Sequence, residues 1–112
     1  MQETKTKAVA QIGEHIGLEL GTTMVKNFFD AFPTLAFGHT IGKEIMAKML
    51  AQPGCDGISV HPALNEAGKP TLVFAAVDAK GSMITSYSIV SSDGSLEVEE
   101  ALIVDRIKTG GW

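Results

Sequence analysis

Between Lys5 and Phe32 the apolar residues Val9, Ile12, Ile16, Leu20, Met24, Phe28 and Phe32 recur at steps of three and four. That spacing keeps them on one side of an α-helix. Asp30 and Pro33 mark its end, because the residue before a proline is pushed out of the α region. The run Gly21-Thr22-Thr23 is poor helix interior, a glycine alone costing about 1 kcal/mol relative to alanine. The segment is therefore predicted as one long helix or as two. A second helical pattern covers Thr40 to Ala51, with Ile41, Ile45 and Met49 on one side and Met46 and Leu50 beside them. Thr40 is the expected N-cap, and Gln52-Pro53-Gly54 the stop.

The period then changes to two. Ile58, Val60 and Leu64 alternate with Ser59, His61 and Ala63, which predicts a strand over 57–64. Pro62 cannot donate to a ladder, so this strand belongs at a sheet edge or carries a bulge. After the turn "NEAGK", residues 70–77 ("PTLVFAAV") are apolar at nearly every position and are expected at the sheet centre. A turn at "DAKG" leads to a strand over 82–90, and "SSDGS" to a last element at 96–107. Its glutamates suit a helix and its Leu102-Ile103-Val104 a strand, with the strand preferred. The tail "KTGGW" is expected to be loose unless Trp112 docks. The fold class is α+β: two or three N-terminal helices packed on one face of a small antiparallel β-meander. One domain over residues 1–112 is expected, its helical part at about 5–51 and its β part at about 57–107.

Composition changes this picture little. A 112-residue chain with 45% apolar and 20% charged residues is globular in character, and at that length it can bury about two thirds of its unfolded surface. The slightly positive mean hydropathy and five methionines fit equally a well-filled core and apolar surface beyond the needs of a core, as at a subunit contact. A net charge of −4 with scattered lysines and arginines excludes a phosphate-binding surface, so no nucleic-acid partner is expected. One cysteine gives no internal disulfide. No apolar run approaches the ~18 residues that span a bilayer, and Glu14 and His15 interrupt what would be a signal peptide's apolar region. A cytoplasmic protein without a membrane partner is expected.

Candidate chemistry centres on Cys55, in "AQPGCDGISVH". A nucleophilic cysteine needs a depressed pKa from a helix N-terminus or a cation. Cys55 instead follows a helix C-terminus and precedes Asp56, both of which disfavour a thiolate. His61 lies up to ~20 Å along an extended strand. A small side chain packed beneath the turn fits these facts better than a reactive thiol. His15, His39 and His61 do not have zinc-site spacing; His15 and Glu19 are four apart, but two ligands do not close a site. No metal or cofactor is expected. Glu97, Glu99 and Glu100 read as a solvated face. "PGCDG" leads into a strand, the wrong polarity for a phosphate loop.

The glycines at 13, 17 and 21 have the spacing of a bare helix ridge, which permits close approach of another helix, the sheet or a ligand. "FGHTIG" (37–42) repeats that spacing at the start of the second helix. The expectation is that these ridges face one another, within a subunit or across a dimer.

The segment "LAQPGCDGISVHPALNEAGKPTLVFAAVDAKG", with the preceding "IGKEIMAKML" and the later "LIVDR", resembles the core of small bacterial proteins with a Q-P-G-C turn followed by a hairpin. The resemblance covers under half of the chain and implies no established activity. Relatives of that kind often end in Cys-Pro-Pro, whereas this chain ends "KTGGW", so no paired-cysteine role carries over.

Two functional readings follow. In the first the chain is a non-catalytic, homo-oligomeric interaction module. In the second it binds a small molecule, as a carrier or an enzyme, in an apolar pocket between helices and sheet. Phe28, Phe29, Phe32, Phe37 and Phe74 would line that pocket, with His39 or Tyr87 as its polar contact and Cys55 at its margin.

Overall fold

The computed structural model describes residues 7–35 and 38–110. The fold is α+β, with two α-helices and antiparallel β-sheets. The elements, in chain order, are α1 (Leu18–Ala31), β1 (Gly38–Thr40), α2 (Lys43–Leu50), β2 (Gly57–Leu64), β3 (Pro70–Val77), β4 (Ser86–Val90), β5 (Leu96–Glu100), β6 (Ile103–Val104) and β7 (Lys108–Gly110). A short 3-10 turn at Val9–Gln11 precedes them.

The long N-terminal helical pattern is realised only in its second half. Gly13 and Gly17 have φ of 118° and 89°, values that fit no right-handed helix. The chain therefore runs irregularly from Ile12 to Gly17, and the break falls at Gly17 rather than at Gly21. No ridge is formed by Gly13, Gly17 and Gly21, and His15 shares no helix face with Glu19. Gly17 caps α1 without a side chain, and Phe32 closes it by donating its N–H to Phe28 O at 2.8 Å. Lys26 and Asp30, one turn apart, form an exposed ion pair at 2.7 Å.

The second helix starts two residues later than predicted. Thr40 pairs with Lys108 in a small β1–β7 sheet, so Gly42 takes the N-cap position. The tail predicted as loose is thus tied down as far as Gly110, and "FGHTIG" forms no ridge over its described residues, 38–42.

In place of one meander there are three small sheets, ordered β1–β7, β2–β3–β6 and β4–β5. As expected, β3 is central and β2 is at an edge. The β2–β3 hairpin closes on Asn65, whose N–H donates to Lys69 O at 2.9 Å and whose carboxamide oxygen accepts from Ala67 and Lys69. This closing pair fixes the alternation along β2: odd-numbered residues face their hydrogen bonds toward β3 and even-numbered ones away from it. Pro62 is even, so its missing N–H costs the ladder nothing and removes a donor from the free edge. Past β3 the chain bridges back at Met83 and extends β4–β5 as a hairpin arm. Residues 82–85, predicted as strand, only lead into it. Its return strand rejoins β3 through β6, pairing Val104 with Phe74 and Ile103 with Ala75.

The core is small. Met49, Phe74 and Val104 form one cluster, supported by Ile41, Ile45, Ile58 and Leu72; Ala76, Ile84 and Ala101 form a second, touched by Cys55 and Tyr87. Gln52 bridges helix and sheet beside them. Its side-chain NH2 donates to Met49 O at 3.1 Å and its carbonyl accepts from Leu102 N–H at 2.8 Å. On the opposite sheet face the N-terminal turn crosses at Gly57, where an added Cβ would lie 3.0 Å from Val9 Cγ1.

Candidate interaction surface

α1 is amphipathic. At 100° per residue, Leu20, Met24, Phe28, Gly21, Phe32, Val25, Leu18 and Phe29 fill roughly half of its circumference, and Glu19, Thr23, Lys26 and Asp30 lie on the other side. In a lone globular chain such an arc lies on a core. Here no residue of α1 is buried. Leu18 is 80% exposed, and Phe28, Phe29 and Phe32 are 48%, 54% and 49% exposed. A 14-residue helix is marginal in water on its own, since tertiary packing supplies most helical stability in proteins. The apolar contact recorded along the arc is internal: the rings of Phe28 and Phe32 stack with centroids 5.1 Å apart at 43°.

A second apolar surface lies on the β4–β5 arm. The register pairs Val90 with Leu96 and Ser88 with Val98, which places Val90, Leu96 and Val98 on one face, and all three are largely exposed. The other face carries Tyr87 and Ile89, half-buried.

The surface as a whole is large. The chain exposes 8456 Å², whereas a compact monomer of 11.8 kDa exposes about 5,900 Å². Its radius of gyration is 17.2 Å, against about 13 Å for a compact domain of this length.

The predicted pocket residues do not converge. Phe28 and Phe32 lie on the open arc of α1, and Phe37 lies outside the described residues. His39, on β1, places Nδ1 3.1 Å from Thr109 Oγ1 across the β1–β7 pair. Cys55 and Tyr87 each pack against the second core cluster, and the Cys55 thiol donates to Gly57 O at 3.3 Å. Among the described residues, open grooves with room for a small molecule include one of about 650 Å³ between the start of α2 and residues 102–108, and one of about 550 Å³ around His39, Pro62 and Leu72. Neither is lined by Phe28, Phe32, Cys55 or Tyr87.

The polar groups are engaged with one another. His61 Nε2 lies 2.9 Å from Ser59 Oγ, and that hydroxyl donates to Ala75 O at 3.2 Å. The Ser59 hydroxyl thus lies between the imidazole and the Ala75 carbonyl. Arg106 clasps Glu66 with both guanidinium nitrogens, at 2.9 and 2.6 Å, and so ties the β2–β3 turn to the segment after β6. Arg106 holds the left-handed conformation at φ 63°, and its hydrogen bonds lower the Glu66 carboxyl to a pKa of about 2. At the tip of the arm, the hydroxyls of Ser91 and Ser95 hold Asp93 well below the usual carboxylate range. Sequence reasoning missed Gln52, Glu66 and Arg106 because each acts through a partner 40 or more positions away: Glu66 and Arg106 through each other, and Gln52 through Leu102. Among the described residues no group of three or more His, Cys, Asp or Glu side chains could hold a metal ion, and no helix is long and apolar enough to cross a membrane. No family model, curated protein or solved structure matches the chain.

Proposed function

We propose that this protein is a homo-oligomeric interaction module whose folded form is completed by a second copy of the chain. The observation that carries the reading is the surface excess of about 2,500 Å² over a compact monomer of the same mass, beside the exposed apolar arc of α1 and the exposed Val90, Leu96 and Val98 of the β4–β5 arm. Obligate homodimers bury 2,000–5,000 Å² in total and resemble a domain core cut in half, and an excess of this size on each chain falls at that scale. The unpacked amphipathic helix supports the same reading, because burial removes its apolar arc from water at about 25 cal/mol per Å².

Light scattering coupled to size exclusion, over 1–100 µM chain, tests it. The expected mass is twice 11.8 kDa or a higher multiple. A monomer throughout that range overturns the reading.

A further inference from the structure

The self-association reading leaves open which surfaces meet, and α1 carries an internal clue. Gly21 sits near the middle of the apolar arc. A Cβ there would meet only Ile16 Cδ1, at 3.9 Å, an ordinary contact. Within one chain, then, nothing requires a glycine, although alanine would favour the helix. A glycine on the apolar face of an exposed helix is explained if another backbone or a large side chain comes close at that point.

We propose that two copies of α1 pair antiparallel about a two-fold axis passing between Met24 and Val25, so that Phe28 of each chain seats over the partner's Gly21. The midpoint of Leu18–Ala31 lies between residues 24 and 25, so full overlap of the two helices and this register coincide. Full overlap places residue 21 across from residue 28, and residue 17 across from residue 32. The stacked rings of Phe28 and Phe32 thereby lie opposite the two positions without side chains, Gly21 and Gly17. Large side chains over small ones give the interdigitation that close helix packing needs, and glycine permits interaxial distances near the lower limit of ~8 Å.

The area fits the same occupant. Aromatic side chains carry about 150–250 Å² each. With three phenylalanines half exposed and the aliphatic residues of the arc exposed to a similar degree, α1 offers on the order of 800–1,000 Å², against about 800 Å² per partner in a stable interface. The two-fold contact is self-complementary and closes on itself. A membrane surface is a poorer match: the polar side of α1 carries Glu19, Lys26 and Asp30, whereas interfacial helices carry lysine and arginine there.

The inference rests on the self-association reading, and the experiment separates the two. Gly21→Leu, Phe28→Ala and the double variant are compared by sedimentation equilibrium, with circular dichroism as the folding control. Each single variant is expected to raise the dimer dissociation constant at least tenfold. The double variant, which exchanges large for small across the contact, is expected to recover most of that loss. Leu18→Cys and Ala31→Cys chains, each in a Cys55→Ala background, are expected to cross-link on mild oxidation when mixed and to resist cross-linking separately. Dimers indifferent to all three substitutions would overturn the helix pairing and leave self-association standing. Self-cross-linking of the Leu18→Cys chain alone would overturn the antiparallel arrangement. A monomeric parent that binds anionic phosphatidylserine vesicles would overturn both proposals.

Discussion

Replacing Gln52 by alanine removes both ends of a buried bridge at once. The side chain holds Met49 O at 3.1 Å and Leu102 N–H at 2.8 Å, and its residue is 6% exposed. Met49 O keeps the backbone N–H of residue 52, at 3.3 Å, so the group left without a partner is Leu102 N–H, at a cost of about 1–3 kcal/mol. A loss of about 2 kcal/mol is expected. The unfolding entropy of a 112-residue chain is about 0.24 kcal/mol per kelvin near the midpoint, which converts that loss to a Tm lower by about 8 °C. Gln52→Glu adds a signature that lost packing cannot imitate. Its carboxylate still accepts from Leu102 but turns an oxygen toward Met49 O, so only the protonated form restores both bonds. The folded-state pKa of the new acid is raised, and its stability is therefore present at low pH and lost as pH rises past the unfolded value of ~4.3. Thermal melts of parent and variant from pH 4 to 8 check this. The variant should fall progressively behind the parent as pH increases. A Gln52→Ala Tm within 3 °C of the parent, or a Gln52→Glu deficit that is constant or shrinks with rising pH, would refute the bridging argument.

Two further outcomes follow from contacts already described. Gly57→Ala should lift residues 8–11 off the sheet, because the new methyl lies 3.0 Å from Val9 Cγ1; trypsin should cut faster at Lys7, and adding Val9→Ala should restore protection. Glu66, held at a pKa of about 2 by Arg106, gives a depressed-acid profile. Its stabilising effect is present above about pH 4.5 and lost as pH falls toward 2. A carboxyl-carbon NMR titration should find Glu66 in the ordinary range near 4.3 in Arg106→Gln, and an unmoved midpoint would contradict the clasp.

Legibility in the sequence followed the range of the interactions. β2, β3 and the turn between them could be read because alternation, Pro62 and the asparagine at 65 are local signals that agree with one another. α2 could be read from Ile41, Ile45 and Met49, which do reach the core. β1 and β7 could not, since three residues each carry no period and they exist only because they pair with each other. The helical pattern through Val9, Ile12 and Ile16 misled for a different reason: apolar spacing outlines a face, but Val9 meets the sheet from a short turn at Gly57, and at Gly13 and Gly17 the backbone takes conformations that glycine holds easily. Phe28 and Phe32 fall on the apolar side that the spacing outlines, and that side is exposed, because periodicity says which side of a helix is apolar and not what covers it. Arg106 gives no signal in sequence, a left-handed arginine being legible only once Glu66 is seen beside it.

Pro62 bears on how far assembly can proceed. A free sheet edge with its full set of donors is a template that each arriving chain renews, and growth on it has no natural end. The proline removes a donor from the middle of that edge, so strand-on-strand addition is interrupted there, while a helix face used in a two-fold contact is consumed as soon as it is occupied. A chain with this much uncovered apolar surface would be expected to polymerise or precipitate as its concentration rises. With the edge blunted, the helix pairing proposed above would be self-limiting, and mass action would then favour a closed particle of fixed size.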